Sequence, residues 1–156
     1  MDEPSIGLSV PDFSLAAADG SIVSLSQFKG KKVVLYFYPK DNTPACSAQA
    51  KAFSDAFKEI SELGTVILGI SRDSVSSHAK FIAKLNLPFL LLSDPDEAVC
   101  RFYNVIKEKN MYGKKVRGIE RSTFIINEQG ILTHEFRKVK VAVHISEVLT
   151  VLKKLS

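Results

Sequence analysis

Cys46 is the residue of this chain best placed to do chemistry. It follows Thr43-Pro44-Ala45, a strong helix-start signal. Thr43 is a good N-cap, and Pro44 at the first helical position lacks only an N–H that had no partner there. Cys46 then falls at the third helical position, in the turn whose backbone amides are still unpaired. Those amides and the helix dipole favour negative charge, and a thiolate is the nucleophilic form of cysteine. Thr43, three residues earlier, carries a hydroxyl that can reach the same pocket. Two plainer readings stand beside these. Free cysteines are among the most buried residue types and mostly fill cores, and Thr43 can serve as a cap alone.

The elements that must position this thiol are readable around it. Val33 to Tyr38 is a solid apolar strand rich in β-branched and aromatic residues, and Pro39 ends it by offering no N–H to a ladder. After Cys46 a helical run to about Leu63 carries Ala50, Phe53, Phe57 and Ile60 at spacings of three and four. Cys46 begins that stripe, which places it at the floor of a small pocket. Upstream, Pro11–Leu15 and Ile22–Leu25 alternate about Asp19-Gly20 and predict an N-terminal hairpin, with a brief turn over Ser26–Lys29. Downstream, Gly64 stops the helix and Thr65–Ile70 is a buried strand. Asp73 or Ser74 caps a helix carrying His78, Phe81, Ile82 and Leu85, and Phe89–Leu92 is a further strand. Asp94-Pro95 opens a short helix through Tyr103. Ile106–Arg117 is polar, contains Gly113, and is expected to be a loop with some strand at its ends. Ser122–Ile126 and Ile131–Phe136 flank Asn127-Glu128-Gln129-Gly130 as a hairpin, and a helix from about Ile145 to Leu155 closes the chain. Strand–helix alternation followed by a hairpin and a last helix predicts an α/β sandwich with a mixed sheet.

The 156 residues suit one domain spanning 1–156, and 46% apolar with 24% charged residues is ordinary for a soluble protein. Met1-Asp2-Glu3-Pro4 lacks the regions of a secretion signal, and no apolar run approaches membrane-spanning length, so a cytoplasmic location is expected. The net charge of +4 is uneven: residues 1–100 carry −3 and residues 101–156 carry +7. No nucleic-acid motif accompanies the basic clusters, which read as a solvated face rather than a nucleic-acid surface. Cys46 and Cys100 form no C-x-x-C pair. His78, His134 and His144 show no metal-ligand spacing, and they read as surface or structural residues with no metal site expected.

Pro39-x-x-x-Thr43-x-x-Cys46 resembles the active-site signature of the peroxiredoxins. The longer run Tyr36 to Cys46 is similar to the peroxiredoxin Q, or bacterioferritin comigratory protein, branch. So are Gly69-Ile70-Ser71-Arg72-Asp73-Ser74, Ser93-Asp94-x-Asp96-Glu97 and Gly118 to Phe124, which extends the resemblance over nearly the whole chain. It implies a thioredoxin-like sandwich, a central mixed sheet flanked by helices with an extra N-terminal hairpin. It also implies a monomer and a peroxidase that reduces hydrogen peroxide and small organic hydroperoxides without cofactor or metal. Cys46 would become a sulfenic acid. Thr43 would hydrogen-bond the peroxide, Pro39 would shield the site, and Arg121, in Glu120-Arg121-Ser122-Thr123, would stabilise the thiolate. Arg117 does not match the family's arginine.

The chain departs from the family at Ala45, where many relatives have Gly, and at Gln49, where many have Glu. Relatives that resolve internally place a second cysteine five residues on or in the next helix, where this chain has Lys51 and Ile82. A one-cysteine cycle is therefore expected, with an external thiol (thioredoxin, glutaredoxin or glutathione) as reductant. Cys100 is the alternative resolving residue, and packing is its plainer role. A thioredoxin-like disulfide reductase would need a thiol where Gln49 stands. A non-catalytic anion- or nucleic-acid-binding module would use the basic C-terminal third.

Overall fold

The computed structural model describes residues 3–156, so Met1 and Asp2 of the expected leaderless start lie outside it. Lys32–Phe37 (β3) is buried along its whole length. A continuous apolar run of this kind suits a strand covered on both faces. It lies parallel to Thr65–Ser71 (β4) and antiparallel to Ser122–Ile126 (β8). Beyond β4 come Leu90–Ser93 (β5), then Ser14–Ala17 (β1) and Ile22–Ser24 (β2); beyond β8 comes Leu132–Arg137 (β9). The expected mixed sheet thus has seven strands, and the expected N-terminal hairpin extends it, since β1 pairs with β5 through Ala16↔Ser93 and Ala17↔Leu92. A 3-10 turn over Leu25–Phe28 follows β2.

Alternation along β3 divides the core in two. Val34, Tyr36 and Tyr38 face one layer with Cys46, Ala50, Phe53, Ile60, Phe81, Val148 and Leu152. These come from Pro44–Asp55 (α1), Phe57–Glu62 (α2), Val75–Leu85 (α3) and Val141–Leu155 (α5). Val33, Leu35 and Phe37 face the other layer with Val99, Cys100, Tyr103 and Phe124, under Ala98–Phe102 (α4). The two cysteines lie on opposite faces of the sheet.

Four boundaries differ from expectation. The helix after Cys46 breaks at Ala56, separating α1 from α2. The short helix opens at Ala98 rather than at Asp94-Pro95, because Asp94 instead turns its carboxylate onto the Cys100 amide at 2.7 Å. The closing helix starts at Val141, which brings His144 into it. The largest difference is the expected loop: Ile106–Met111 (β6) and Lys114–Ile119 (β7) form a two-stranded ribbon outside the main sheet. Tyr112 and Gly113 at its tip have φ of 52° and 77°. Positive φ at both positions is what a two-residue turn matched to strand twist requires.

Candidate active site

The parallel strands end on one edge of the sheet, and the loop after β3 turns there. Tyr38 still donates its N–H to Ile70 O at 3.1 Å, and the half-buried Pro39 then stops the ladder. Thr43 takes the cap position of α1 in extended conformation, with Pro44 in the first turn. Its hydroxyl does not cap the helix; it donates to Lys40 O at 2.8 Å. The plain capping role is thereby corrected for the side chain: no first-turn N–H donates to Oγ1, which is turned instead to close the tight Lys40–Thr43 turn. The lone pairs of Oγ1 stay available to accept. Cys46, 2% exposed, lies on the buried face of α1 with Ala50 and Phe53, as its stripe predicts.

Arg121, between β7 and β8, reaches the sulfur from the other side. Its Nη2 donates to Cys46 Sγ at 3.4 Å, and its Nη1 donates to Gln49 Oε1 at 2.6 Å. Its carbonyl accepts from Val139 N at 3.1 Å, which fixes the backbone. Arg117, by contrast, donates to Glu97 Oε2 at 2.6 Å. Arg117 above all, with Arg72 and Arg101, holds the Glu97 carboxyl down to about 2.

Gln49 is the contributor that sequence reading passed over. Three residues after Cys46 on α1, it shares the helix face of the thiol, a spacing that could have nominated it. It is fully buried, and its Nε2 and the Tyr36 hydroxyl have no hydrogen-bond partner among the described residues. Burial, reinforced by negative charge at Cys46 and Asp41, pushes the Tyr36 hydroxyl up, so it stays an O–H donor. The Tyr36 ring stacks on Phe53 with centroids 4.6 Å apart and lies over Gly69. A Cβ there would stand 3.0 Å from the ring and 2.7 Å from Leu91 Cδ2.

A buried polar network anchors the loop before Thr43. Asp41 Oδ1 accepts from the Tyr38 hydroxyl at 2.6 Å, and Oδ2 accepts from Ser77 Oγ at 2.8 Å and meets His78 Nδ1 at 2.7 Å. His78 Nε2 meets Leu92 O at 2.9 Å, and Asp73 Oδ2 accepts the Asp41 amide at 2.9 Å. Despite its burial, Asp41 keeps its carboxyl below the usual range, through bonds from His78 and Tyr38. The fold thus brings Asp41, Asp73 and His78 within 4.8 Å, a grouping that linear spacing did not reveal. The hydrogen bonds already present occupy its facing atoms. His144 is likewise buried and structural, meeting Thr123 Oγ1 at 2.8 Å.

The remaining candidates are separated from the sulfur. Cys100 is fully buried in the opposite layer, and burial together with Asp94 pushes its thiol well up. Lys51 is exposed on α1 and Ile82 is half-buried on α3. No helix among the described residues is long and apolar enough to cross a membrane.

The AhpC/TSA family pattern matches residues 6–135. A putative peroxiredoxin, bcp, of Coxiella burnetii is 50% identical over 144 residues, 92% of this chain and 95% of that protein. Peroxiredoxin Bcp of Bacillus subtilis is 48% identical over 151 residues, covering 97% and 96%. Among solved structures, the Xanthomonas campestris bacterioferritin comigratory protein, described for its alkyl peroxide reduction activity, superposes with a TM-score of 0.87. It is 48% identical and covers 91% of this chain and 90% of its own.

Proposed function

The chain belongs to the AhpC/TSA family with a thioredoxin-like fold, in its peroxiredoxin Q (Bcp) branch, and from that premise we propose a thiol peroxidase that works through Cys46. The observation that carries this reading is the Arg121 guanidinium 3.4 Å from a sulfur that is 2% exposed in the first turn of α1. The guanidinium and the first-turn amides are placed to stabilise negative charge on the sulfur as it attacks, and burial of the residue favours a small electrophile. The thiolate attacks the near oxygen of a hydroperoxide, the O–O bond breaks, and the departing alkoxide or hydroxide takes a proton to leave as alcohol or water. Cys46 is left as sulfenic acid. Arg121 donates to the oxygens as charge builds on them, and the Thr43 lone pairs accept the peroxide O–H. Pro39 walls the entrance. Hydrogen peroxide and small organic hydroperoxides are the substrates, in keeping with the alkyl peroxide activity of the Xanthomonas relative.

The cycle is a one-cysteine cycle. Cys100 lies across the sheet with its thiol held protonated, and a disulfide needs Cα atoms within about 7 Å. An external thiol therefore attacks the sulfenic sulfur. Cys46→Ser is expected to abolish peroxide consumption while keeping the circular dichroism of the wild type, and Cys100→Ser to turn over normally with an external thiol. After one equivalent of peroxide Cys46 should trap dimedone, and excess peroxide should carry it to the sulfinic acid. A Cys46–Cys100 peptide in place of the adduct would reverse the assignment.

A further inference from the structure

We propose that the outward face of the β6–β7 ribbon is the docking surface for an acidic protein dithiol that reduces Cys46. This rests on the thiol-peroxidase reading and names its partner. The ladder pairs Lys109↔Val116 and Met111↔Lys114, so alternation puts Lys109, Lys114, Met111 and Val116 on one exposed face, while Lys107 is half-buried where Gly118 opposite it approaches Arg72. The other face is turned to the body: Ile119 is buried in the core, and Arg117 reaches Glu97 at 2.6 Å. The outward lysines have no ion-pair partner among the described residues. Between and beside them, Met111 is 51%, Val116 43% and Tyr112 100% exposed. A basic face with an apolar centre suits a protein partner, whose approach the charges steer and whose contact the apolar groups hold. Met111 and Val116 offer nothing to a phosphate backbone.

The position of the ribbon says what such a partner does. β7 ends at Ile119, and Arg121, two residues on, touches the Cys46 sulfur. A six-residue strand is about 20 Å long, and a standard interface buries about 800 Å² per partner. A partner of that size seated on the ribbon has its contact surface beginning two residues from the arginine that holds the Cys46 sulfur. A sulfur that is 2% exposed makes each productive approach of a donor thiol rare, so a donor held nearby gains most. The electrons balance with a dithiol. One donor thiolate attacks the Cys46 sulfenic sulfur, the S–O bond breaks, and hydroxide leaves as water after taking a proton. The second donor thiol then attacks its partner sulfur in the mixed disulfide, closing the donor's own disulfide and releasing Cys46 as thiolate.

The test compares thioredoxin, as an acidic protein dithiol, with dithiothreitol, which needs no docking. The variant is Lys109→Glu/Lys114→Glu. With dithiothreitol it should turn over as the wild type does. With thioredoxin its KM should rise roughly tenfold or more, and the salt dependence of kcat/KM seen in the wild type should flatten. An unchanged KM for thioredoxin overturns the proposal, as does an equal loss with both reductants. So does retention of the wild-type chain on duplex DNA that the variant loses while its thioredoxin kinetics stay put, which would make the ribbon a polyanion site. Failure of the wild type to consume peroxide even with dithiothreitol would instead remove the peroxidase reading itself.

Discussion

Thr43 gives its hydroxyl proton to Lys40 O, so under the proposed peroxidase reading it would meet a bound peroxide as an acceptor, with Arg121 supplying the donors. The two residues therefore tolerate different replacements. Thr43→Ser keeps both the turn and the lone pairs and should keep most activity. Thr43→Val keeps the shape and loses both; if it behaves like loss of one oriented transition-state contact, it should lower kcat/KM by about 10²–10³. Arg121→Lys retains charge, but an ammonium lacks the planar fork that joins Gln49 and the sulfur at once, so it too should be impaired. Rapid-mixing measurement of the first peroxide turnover checks all three. A Thr43→Val enzyme as fast as the wild type would leave Thr43 a part of the turn alone.

At the scale of elements, α5 is pinned to β8 by His144 against Thr123 at 2.8 Å, with the Phe136 and Phe53 rings edge-on to the imidazole. Burial pushes the His144 ring below its ordinary 6.5, opposed in part by Glu147. The unfolded chain then binds more protons between the two values, so stability rises with pH across that window. The contribution is complete above about 6.5 and is lost as pH falls toward the native value. Melting temperature should accordingly drop between pH 7.5 and 5.5, and His144→Gln, which does not titrate, should show a shallower slope over that range. What sequence revealed at this scale followed burial. β3, α1 and the β8–β9 hairpin announced themselves because one or both faces are apolar. β6 and β7 did not, because neither face of the ribbon is a continuous apolar stripe, and Gly113, which the structure places in the turn, read as a loop residue. Cys46, Thr43 and Arg121 were legible from a local motif. The Asp41–His78 pair was not, since only the fold joins its two members, and for Gln49 the spacing from Cys46 was legible but its partner Arg121 was not.

For the whole molecule, the seven-stranded sheet acts as a partition between two sulfur environments. On one side a buried thiol lies beside a guanidinium; on the other a thiol on the inner face of α4 is sealed against the sheet with its proton held by burial and Asp94. An alkylating reagent should therefore count one sulfur in the folded chain and two in the unfolded chain, read by intact mass without any substitution. Under the proposed function, the first count measures the fraction of molecules competent for turnover. The second advances only when α4 parts from the sheet, so its rate at low denaturant is a clock for opening of the core. The same chain thus carries a gauge of its working sulfur and an independent gauge of its own integrity.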